Sequence, residues 1–217
     1  METESSIDLK TIQLDAVKGV LVDLDNTFYD YEPCHQQGLK SAYQEYTKTQ
    51  VIDEEKFYEL YKQAQVVIKQ RIPNHGASHS RLLYFQNITE QVEKRTNMEV
   101  SLTLEDIYWD VFQKTIILRK EVINFLQLCK KKSIKICILT DLTGAVQFRK
   151  MVAIGLETLV DFVVTSEEAG GDKPYKPMFS IALEKLNLRE EDVIMIGDDI
   201  TKDIDGARKQ NIKAFLI

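Results

Sequence analysis

Two aspartates separated by one residue follow a short apolar run near the start of the chain. Residues 19–22 are apolar and rich in valine, and Asp23 and Asp25 come directly after them. A continuous apolar run of this length is typical of a strand buried on both faces of a parallel sheet. In such sheets ligands bind beyond the carboxyl ends of the strands, and alternate residues of a strand point to the same side. The spacing therefore favours two carboxylates facing one binding edge, although a lone D-x-D is also typical of a solvated turn.

Polar residues that could join these carboxylates follow three later apolar runs. They are Thr140 and Asp141 after residues 134–139, Lys173 in the loop after residues 162–165, and Asp198, Asp199 and Asp203 after residues 193–196. Taken singly, each set is weak evidence for a binding site, because a threonine after a strand is commonly an N-cap and Gly-Asp-Asp is a common turn. In this order they follow consecutive parallel strands, whose carboxyl ends meet at one sheet edge. Such an arrangement is rare by chance.

The elements that must position these residues form an α/β core interrupted by a helical insert. Strand-like runs alternate with helical periodicity in residues 116–217, which predicts a doubly wound parallel sheet covered by helices. Helical periodicity dominates residues 29–115. We therefore expect residues 1–28 and 116–217 to form the core, and residues 29–115 to form an inserted helical domain. The expected helices include 104–115 in the insert and 144–154, 177–187 and 202–210 in the core.

Composition and charge exclude several classes of protein. The 217 residues suit one sizeable domain with a modest insertion, and 44% of them are hydrophobic, which is enough for a packed core. A net charge of −6 argues against nucleic-acid binding. Neither a signal peptide nor an apolar run of about 18 residues is present, so we expect no membrane span and a cytoplasmic location. Cys34, Cys129 and Cys137 lack paired metal spacing and are typical of thiols in a reducing compartment.

In combination, the motifs resemble those of the haloacid dehalogenase (HAD) superfamily. The matching residues are Asp23-Leu24-Asp25-Asn26-Thr27 for the D-x-D-x-T motif, Thr140 for the hydroxyl after the second strand, Lys173-Pro174 with Pro177-Met178-Phe179 for the lysine loop, and Gly197-Asp198-Asp199 with Asp203 for the terminal acidic motif. The resemblance covers residues 17–28 and 116–217. The intervening helices correspond to the cap that this superfamily inserts after its first strand. Asn26 often appears as Gly, and Phe28 as Leu or Ile, but neither departure touches the implied chemistry.

The resemblance implies a Mg²⁺-dependent phosphatase that works through an aspartyl-phosphate on Asp23. Asp25 would protonate the leaving oxygen and later deprotonate the attacking water. The implied ligands of Mg²⁺ are the Asp23 carboxylate, the Asp25 backbone carbonyl and Asp198. Lys173 would add a positive charge, and Thr140 would hold phosphoryl oxygens. The implied supporting residues are Asp199, Asp203, Thr27 and Asp141.

The acid–base role implied for Asp25 demands a raised pKa. Like charges about 4 Å apart repel by roughly 4 kcal/mol at an effective dielectric constant of about 20, which corresponds to roughly 3 pKa units. We therefore expect repulsion from Asp23 to bring Asp25 towards neutrality, provided that the metal contacts the Asp23 carboxylate and not that of Asp25. The presence of Asp25 also favours phosphomonoester chemistry, because haloacid dehalogenases and phosphonatases of the superfamily lack this residue.

Substrate selection is expected to lie in the helical insert, which has a polar break between two helices. The candidate substrate-binding residues are Arg71, His75, His79 and Arg81. These side chains could bind phosphate or hydroxyl groups, and a solvated helix connection is the alternative. Tyr29, Tyr31 and His35 either line the pocket or pack at the hinge. The aromatic residues Tyr84, Phe85, Tyr108, Trp109 and Phe112 favour a packed helical core over a platform for stacking bases.

The predicted function is hydrolysis of a small phosphomonoester, such as a nucleotide or sugar phosphate, with Mg²⁺ as cofactor. The sequence leaves open whether the protein is a monomer or a homodimer. Two alternative functions also stay open, a phosphomutase of the same fold and a catalytically silent phosphate-binding regulatory protein. A phosphatase releases free phosphate, whereas a mutase forms an isomeric sugar phosphate. A catalytically silent protein would not cleave p-nitrophenyl phosphate, whereas a phosphatase would.

Overall fold

A computed structural model describes residues 6–217 and divides the chain into two compact units. One unit comprises the described residues up to Asp30 together with Ile117–Ile217, and the other comprises Tyr31–Ile116. The strands are β1 (Gly19–Val22), β2 (Lys135–Thr140), β3 (Phe162–Thr165), β4 (Val193–Gly197) and β5 (Lys213–Leu216). The α-helices are α1 (Tyr31–Tyr46), α2 (Glu54–Arg71), α3 (Arg81–Glu93), α4 (Met98–Thr115), α5 (Lys120–Lys131), α6 (Gly144–Ala153), α7 (Ser166–Ala169), α8 (Lys176–Leu186) and α9 (Asp205–Arg208). Turns of 3₁₀ helix cover Leu9–Thr11, Gly76–His79, Leu156–Thr158 and Glu190–Asp192, and a π-helical turn covers Ile200–Ile204.

The first unit is built on a parallel sheet with the strand order β3-β2-β1-β4-β5. Val22 of β1 pairs with Ile138 of β2 on one side and with Ile196 of β4 on the other. The direction of strand addition therefore reverses at β1, and ligands of open α/β sheets bind beyond the strand ends at such a point. Asp23 is the residue that follows β1. The architecture confirms the predicted α/β fold with a doubly wound parallel sheet.

Buried apolar side chains fix the strands of this sheet. Leu21, Leu139 and Met195 belong to one apolar cluster with Met178 and Phe179 of α8, and all five are buried. Each buried side chain of this size contributes about 1.5–3 kcal/mol relative to an exposed one. The carboxyl ends of the central strands are therefore held by a tightly packed core, which is what precise placement of polar groups requires.

Two elements differ from their sequence predictions. The helix expected near 202–210 begins instead as the π-helical turn Ile200–Ile204, in which the Asp199 carbonyl accepts from both Asp203 N at 2.9 Å and Ile204 N at 3.2 Å. Periodicity carries no signal for such a widened turn. The helix expected near 104–115 begins earlier, at Met98, where the Asn97 side chain accepts from Val100 N at 3.2 Å as an N-cap.

The second unit consists of α1 to α4 and the 3₁₀ turn Gly76–His79. Its interior is aromatic, and the residues predicted to form a packed core are buried. They are Tyr84, Phe85, Tyr108, Trp109 and Phe112. Tyr108 and Trp109 meet edge to face with ring centroids 4.8 Å apart. Such a geometry stabilises aromatic pairs beyond their burial. The prediction that these aromatic residues form a packed helical core is confirmed.

His35 of α1 gives this aromatic core a dependence on pH. Its Nδ1 lies 2.7 Å from the Tyr108 hydroxyl. Burial, together with the charge of Arg81, lowers the pKa of His35 to about 4 from 6.5. The unfolded chain therefore binds a proton more tightly than the folded chain, so the fold is increasingly penalised as the pH falls from 6.5 to about 4, and the penalty is constant below that range.

We expect the free energy of unfolding to decline more steeply with falling pH in the wild type than in His35→Gln over that interval. Urea titrations at a series of pH values measure this difference. The core carboxylates titrate in both proteins, so they cancel in the comparison. Parallel declines in the two proteins would contradict the lowered pKa of His35.

None of the helices described between residues 6 and 217 combines the length and apolar character needed to cross a lipid bilayer.

Candidate active site

Asp23 leaves the carboxyl end of β1 with its side chain buried among donors. Its backbone N–H donates to the Ile196 carbonyl at 3.1 Å, which extends the pairing of β1 with β4. Thr27 Oγ1 donates to Asp23 Oδ2 at 2.9 Å, and Lys173 Nζ donates to Asp23 Oδ1 at 2.5 Å. Asp23 is only 6% exposed. The carboxylate is therefore fixed at the point where the strand order reverses, with an ammonium group on one oxygen and a hydroxyl on the other.

Lys173 joins this carboxylate to a second one. Its Nζ lies 2.7 Å from Asp203 Oδ1, and both side chains are buried. Burial alone would lower the pKa of Lys173, but the charges of Asp203 and Asp23 raise it well above its usual value. The Lys173 backbone N–H donates to Asp141 Oδ1 at 2.8 Å, and Lys202 Nζ donates to Asp141 Oδ2 at 2.9 Å. Asp141 thus ties the loop that carries Lys173 to the end of β2.

Three carboxylates lie close enough together to bind one cation. One oxygen from each of Asp23, Asp198 and Asp203 lies within 4.8 Å of the other two. Burial raises the pKa of both Asp23 and Asp198, and the negative charge of Asp203 raises both further, although Lys173 opposes the effect. A cation would relieve this repulsion, and carboxylate oxygens are the ligands that hard divalent ions prefer. The residues therefore fit a hard divalent cation.

The turn after β4 places the third of these carboxylates. A Cβ at Gly197 would overlap the Asp203 carboxylate, so the close approach requires glycine. Asp203 Oδ2 accepts from Asp199 N at 3.1 Å. Asp199 Oδ1 accepts in turn from Thr201 N and Lys202 N, each at 2.9 Å. The two predicted supporting residues thus have different surroundings. Asp203 lies with Asp23 and Asp198 in the cation-binding group, whereas Asp199 caps the turn.

The Asp25 carboxylate lies among donors that the motifs do not predict. Lys150 Nζ donates to Oδ1 at 2.8 Å and to Oδ2 at 3.1 Å. Gln147 Nε2 donates to Oδ2 at 3.1 Å, and the Tyr29 hydroxyl donates to Oδ1. Lys150 and Gln147 lie on α6, the helix that follows Thr140, and both are fully buried. Asp25 is therefore held by groups from a helix more than 100 residues away in the chain.

The predicted rise in the pKa of Asp25 is wrong. Burial acts in that direction, but the charge of Lys150 and hydrogen bonds from Lys150, Tyr29 and Gln147 lower the pKa of Asp25 below its usual value. Of Asp23 and Asp25, it is Asp23 that has the raised pKa. The sequence did carry one signal for this arrangement, because Gln147 and Lys150 are three residues apart on a helix. That spacing places both on one face, but it is equally typical of a solvated face.

Thr140 ends β2 beside β1. Its hydroxyl accepts from Gln147 Nε2 at 2.6 Å and donates to the Asp141 carbonyl at 3.3 Å, and the residue is 1% exposed. Gln147 thereby links Thr140 to Asp25. The structure thus gathers the predicted residues of the core at one edge of the sheet. The contact of Thr140 with phosphoryl oxygens and the role of the Asp25 carbonyl as a metal ligand stay predictions.

The four candidate substrate-binding residues lie in the second unit, and their surroundings differ. Arg71 is exposed in the last turn of α2, and His79 is half-buried in the 3₁₀ turn. His75 caps that turn, because its Nδ1 accepts from Ala77 N at 3.1 Å. Arg81 is buried. Its Nη1 donates to the His79 carbonyl at 2.5 Å, and its Nη2 donates to the Tyr31 hydroxyl. Its Cζ lies 5.0 Å from the centroid of the Trp109 ring. Arg81 therefore packs within the aromatic core, and substrate contact by the four residues stays a prediction.

Comparison with known proteins relates the chain to phosphatases. The ribulose-1,5-bisphosphate 5-phosphatase of Halopiger xanaduensis is 34% identical over 198 residues, which cover 91% of this chain and 83% of that protein. The glyceraldehyde 3-phosphate phosphatase of Methanocaldococcus jannaschii is 27% identical over 200 residues, which cover 89% of this chain and 81% of that protein. The crystal structure of a HAD phosphatase from Thermococcus onnurineus has a TM-score of 0.71 at 20% identity and covers 93% of this chain and 86% of that one. At this identity the likeness in structure shows a shared fold.

The family model for haloacid dehalogenase-like hydrolases matches residues 17–211. This span includes β1, the sheet edge with its buried carboxylates, and most of the chain beyond. The chain therefore belongs to the haloacid dehalogenase-like hydrolases, the superfamily that its motifs predict.

Proposed function

We propose that this protein is a Mg²⁺-dependent phosphatase that hydrolyses a small phosphomonoester through Asp23. The observation that supports this most strongly is the Asp23 carboxylate itself. It is buried where the strand order reverses, between the Lys173 ammonium group and the acidic group formed with Asp198 and Asp203. Such a setting favours a reactive carboxylate over a solvated surface charge, which supports Asp23 as the nucleophile.

The proposed reaction has two steps that balance in atoms and protons. An Asp23 oxygen attacks phosphorus, the bond from phosphorus to the ester oxygen breaks, and Asp25 gives its proton to the departing oxygen. Water then gives a proton to Asp25 and attacks phosphorus, the bond from phosphorus to Asp23 breaks, and inorganic phosphate leaves. The surroundings of Asp25 lower its pKa, so the first step needs one proton from solvent, and the charge of a phosphate dianion beside Asp25 favours its uptake. Asp25 holds a proton again after the second step, and that proton either serves the next turnover or returns to solvent.

Charge on the phosphoryl group is the main obstacle to this attack. Lys173 places a buried positive charge on the nucleophile, and Thr140 offers a hydroxyl at the neighbouring strand end. Asp23, Asp198 and Asp203, together with the Asp25 backbone carbonyl, would hold Mg²⁺, which would supply charge neutralisation for the phosphoryl oxygens. Asp141 keeps the lysine loop in place, and Thr27 orients the second oxygen of Asp23.

The substrate is a small sugar phosphate under this proposal, with nucleotides as the weaker choice. The names of the relatives support it, since one acts on ribulose 1,5-bisphosphate and the other on glyceraldehyde 3-phosphate. We propose that the helical unit Tyr31–Ile116 is the cap that selects among such esters, with Arg71, His75, His79 and Arg81 as candidate contacts. We also propose a cytoplasmic location, which the buried thiols Cys34, Cys129 and Cys137 support.

Phosphate release from a panel of sugar phosphates and nucleoside monophosphates tests the proposed function. We expect release with at least one sugar phosphate in the presence of Mg²⁺, loss of release with EDTA, and recovery when Mg²⁺ is added in excess. An isomeric sugar phosphate formed without free phosphate would contradict hydrolysis and indicate a mutase. Binding of inorganic phosphate without turnover of any ester would contradict catalysis altogether.

A further inference from the structure

We propose that Lys150, together with Gln147 and Tyr29, is a positioning residue that holds the Asp25 carboxylate in one orientation, apart from the cation-binding carboxylates. These three residues are called the Asp25 cradle below. The inference rests on the proposed function, in which Asp25 is the acid and base. It concerns the orientation of Asp25, and it gives a role to Lys150, a buried residue outside the motifs.

The contacts of Lys150 are unusual for a lysine. The side chain is 0% exposed, and its ammonium group contacts both oxygens of Asp25, at 2.8 and 3.1 Å. Lysine is almost never fully buried unless it is paired, because removing an unpaired ammonium group from water is costly. A buried pair of this kind is also weak evidence for stability, since apolar residues of similar size often serve the fold as well. A role in the chemistry therefore explains the lysine better than packing does.

The cradle donates hydrogen bonds to both oxygens of the Asp25 carboxylate. The Tyr29 hydroxyl and Lys150 contact Oδ1, while Gln147 and Lys150 contact Oδ2. The same Gln147 amide nitrogen reaches the Thr140 hydroxyl at 2.6 Å and the Asp141 carbonyl at 2.7 Å. Both oxygens of Asp25 are thus occupied by donors, so the group is tied to α6 and to the end of β2.

Two buried lysines divide the carboxylates of the site into two sets. Lys173 contacts Asp23 and Asp203, which form the cation-binding group with Asp198. Lys150 contacts Asp25, which does not belong to that group among the described residues. Asp25 follows Asp23 by only two positions, so a freely rotating side chain could turn towards a cation bound to Asp23. The cradle holds Asp25 away from that cation. When Asp25 carries the proton, one donor must release an oxygen, and the Tyr29 hydroxyl can do so because it can accept as well as donate.

Loss of the cradle should therefore depend on the leaving group. p-Nitrophenolate leaves without a proton, whereas the alkoxide of a sugar phosphate requires one, so only the second reaction depends on a well-placed acid. Cation binding should not weaken, because a released Asp25 carboxylate can only add to the negative charge around the cation. A lysine that served folding alone would affect both esters equally and would loosen the cation site with the rest of the core.

The experiment compares Lys150→Met, Lys150→Arg and Tyr29→Phe with the wild type. Lys130→Met is the matched control, because Lys130 pairs with Asp161 at 2.8 Å on the surface of the same unit. kcat is measured for p-nitrophenyl phosphate and for the best sugar phosphate of the panel, and Mn²⁺ binding is measured by electron paramagnetic resonance. Lys150→Met should lose about 100-fold or more in kcat on the sugar phosphate but less than about 10-fold on the aryl ester. Its dissociation constant for Mn²⁺ should be unchanged or lower.

The other variants sharpen the test. Lys150→Arg retains the charge and can donate to both oxygens of Asp25, so it should lose less kcat on the sugar phosphate than Lys150→Met does. Tyr29→Phe removes one donor with little change of shape, so it should show the same selectivity more weakly. If Lys150→Met does not fold, the selectivity of Tyr29→Phe between the two esters tests the inference instead. Equal losses on both esters, or weaker Mn²⁺ binding with a preserved fold, would overturn the inference.

Asp25→Asn separates failure of this inference from failure of the proposed function. If that variant loses sugar-phosphate turnover selectively while the cradle variants do not, the cradle is refuted and the acid–base role stands. If Asp25→Asn keeps full turnover of both esters, the proposed role of Asp25 fails, and the inference about its positioning fails with it.

Discussion

Replacing Asp23 by asparagine is expected to lower kcat for every phosphomonoester substrate by about 10⁴-fold or more, because the amide cannot form the acyl phosphate. The same substitution is expected to leave the protein as stable as the wild type or more stable. Burial and the charge of Asp203 raise the pKa of Asp23 in spite of Lys173. A carboxyl group whose pKa is higher in the folded chain than in the unfolded chain costs stability at neutral pH, and asparagine removes that cost.

Phosphate release and urea unfolding measure the two halves of this prediction. Asp15→Asn is the matched control, because the Asp15 side chain is 88% exposed and lies 3.6 Å from Lys132 on the surface. The control should change neither activity nor stability. If Asp23→Asn unfolds at a clearly lower urea concentration than the wild type, its loss of activity can be explained by loss of the fold, and the prediction is contradicted.

Replacing Lys173 by methionine is expected to destabilise the protein by about 3–5 kcal/mol and to abolish turnover. The substitution leaves Asp23 and Asp203 buried without the ammonium group that lies 2.5 Å from one and 2.7 Å from the other. It also removes the positive charge beside the nucleophile. Urea unfolding and phosphate release measure both effects. Lys18→Met is the control, because Lys18 pairs with Asp192 on the surface, where solvent screens the interaction, so its stability and turnover should stay close to those of the wild type.

A second substitution distinguishes loss of charge balance from loss of packing. Adding Asp203→Asn to Lys173→Met removes one of the two unpaired carboxylates, so part of the lost stability should return. Turnover should not return, because the positive charge is still missing and the acidic group has lost a member. A double variant no more stable than Lys173→Met would mean that methionine fails to fill the site, and the electrostatic explanation would be wrong.

The strands of the core could be predicted because each is a short apolar run with a polar group at its end. Residues 162–165 and 213–216 form β3 and β5 with the expected bounds, since tertiary contacts only reinforce what their composition favours. The convergence of Asp23, Thr140 and Lys173 on one sheet edge followed from the rule that parallel strands share an orientation. These predictions rest on local pattern and on topology, and both are readable from one sequence.

The surroundings of Asp25 could not be predicted, because they depend on side chains from a helix far along the chain. Repulsion from Asp23 was visible in the spacing, but the ion pair with Lys150 and the bonds from Gln147 and Tyr29 were not. A lysine on an amphipathic helix is usually solvated, so its sequence neighbours give no reason to bury it. The direction of a pKa shift depends on such distant partners, which explains why the predicted sign was wrong.

The turn after β4 illustrates a second limit. Helical periodicity is visible from about residue 202, yet the chain first forms the π-helical turn Ile200–Ile204, which orients the Asp203 carboxylate towards Lys173. The need for Gly197 beneath Asp203 is likewise a matter of contact distance. Local sequence indicates that acidic residues follow β4, and only the packed structure shows which of them joins the cation-binding group.

Trapping the acyl phosphate on Asp23 tests the central claim most directly. The protein is mixed with a turned-over phosphomonoester and Mg²⁺, quenched in acid, and treated with borohydride, which reduces an acyl phosphate to the corresponding alcohol. Mass spectrometry of the peptide that contains β1 should then show homoserine at position 23 and an intact aspartate at position 25, and Asp23→Asn should show no reduction. Reduction at another residue, or a burst of product with no reducible carboxyl group, would contradict the assignment of Asp23 as the nucleophile.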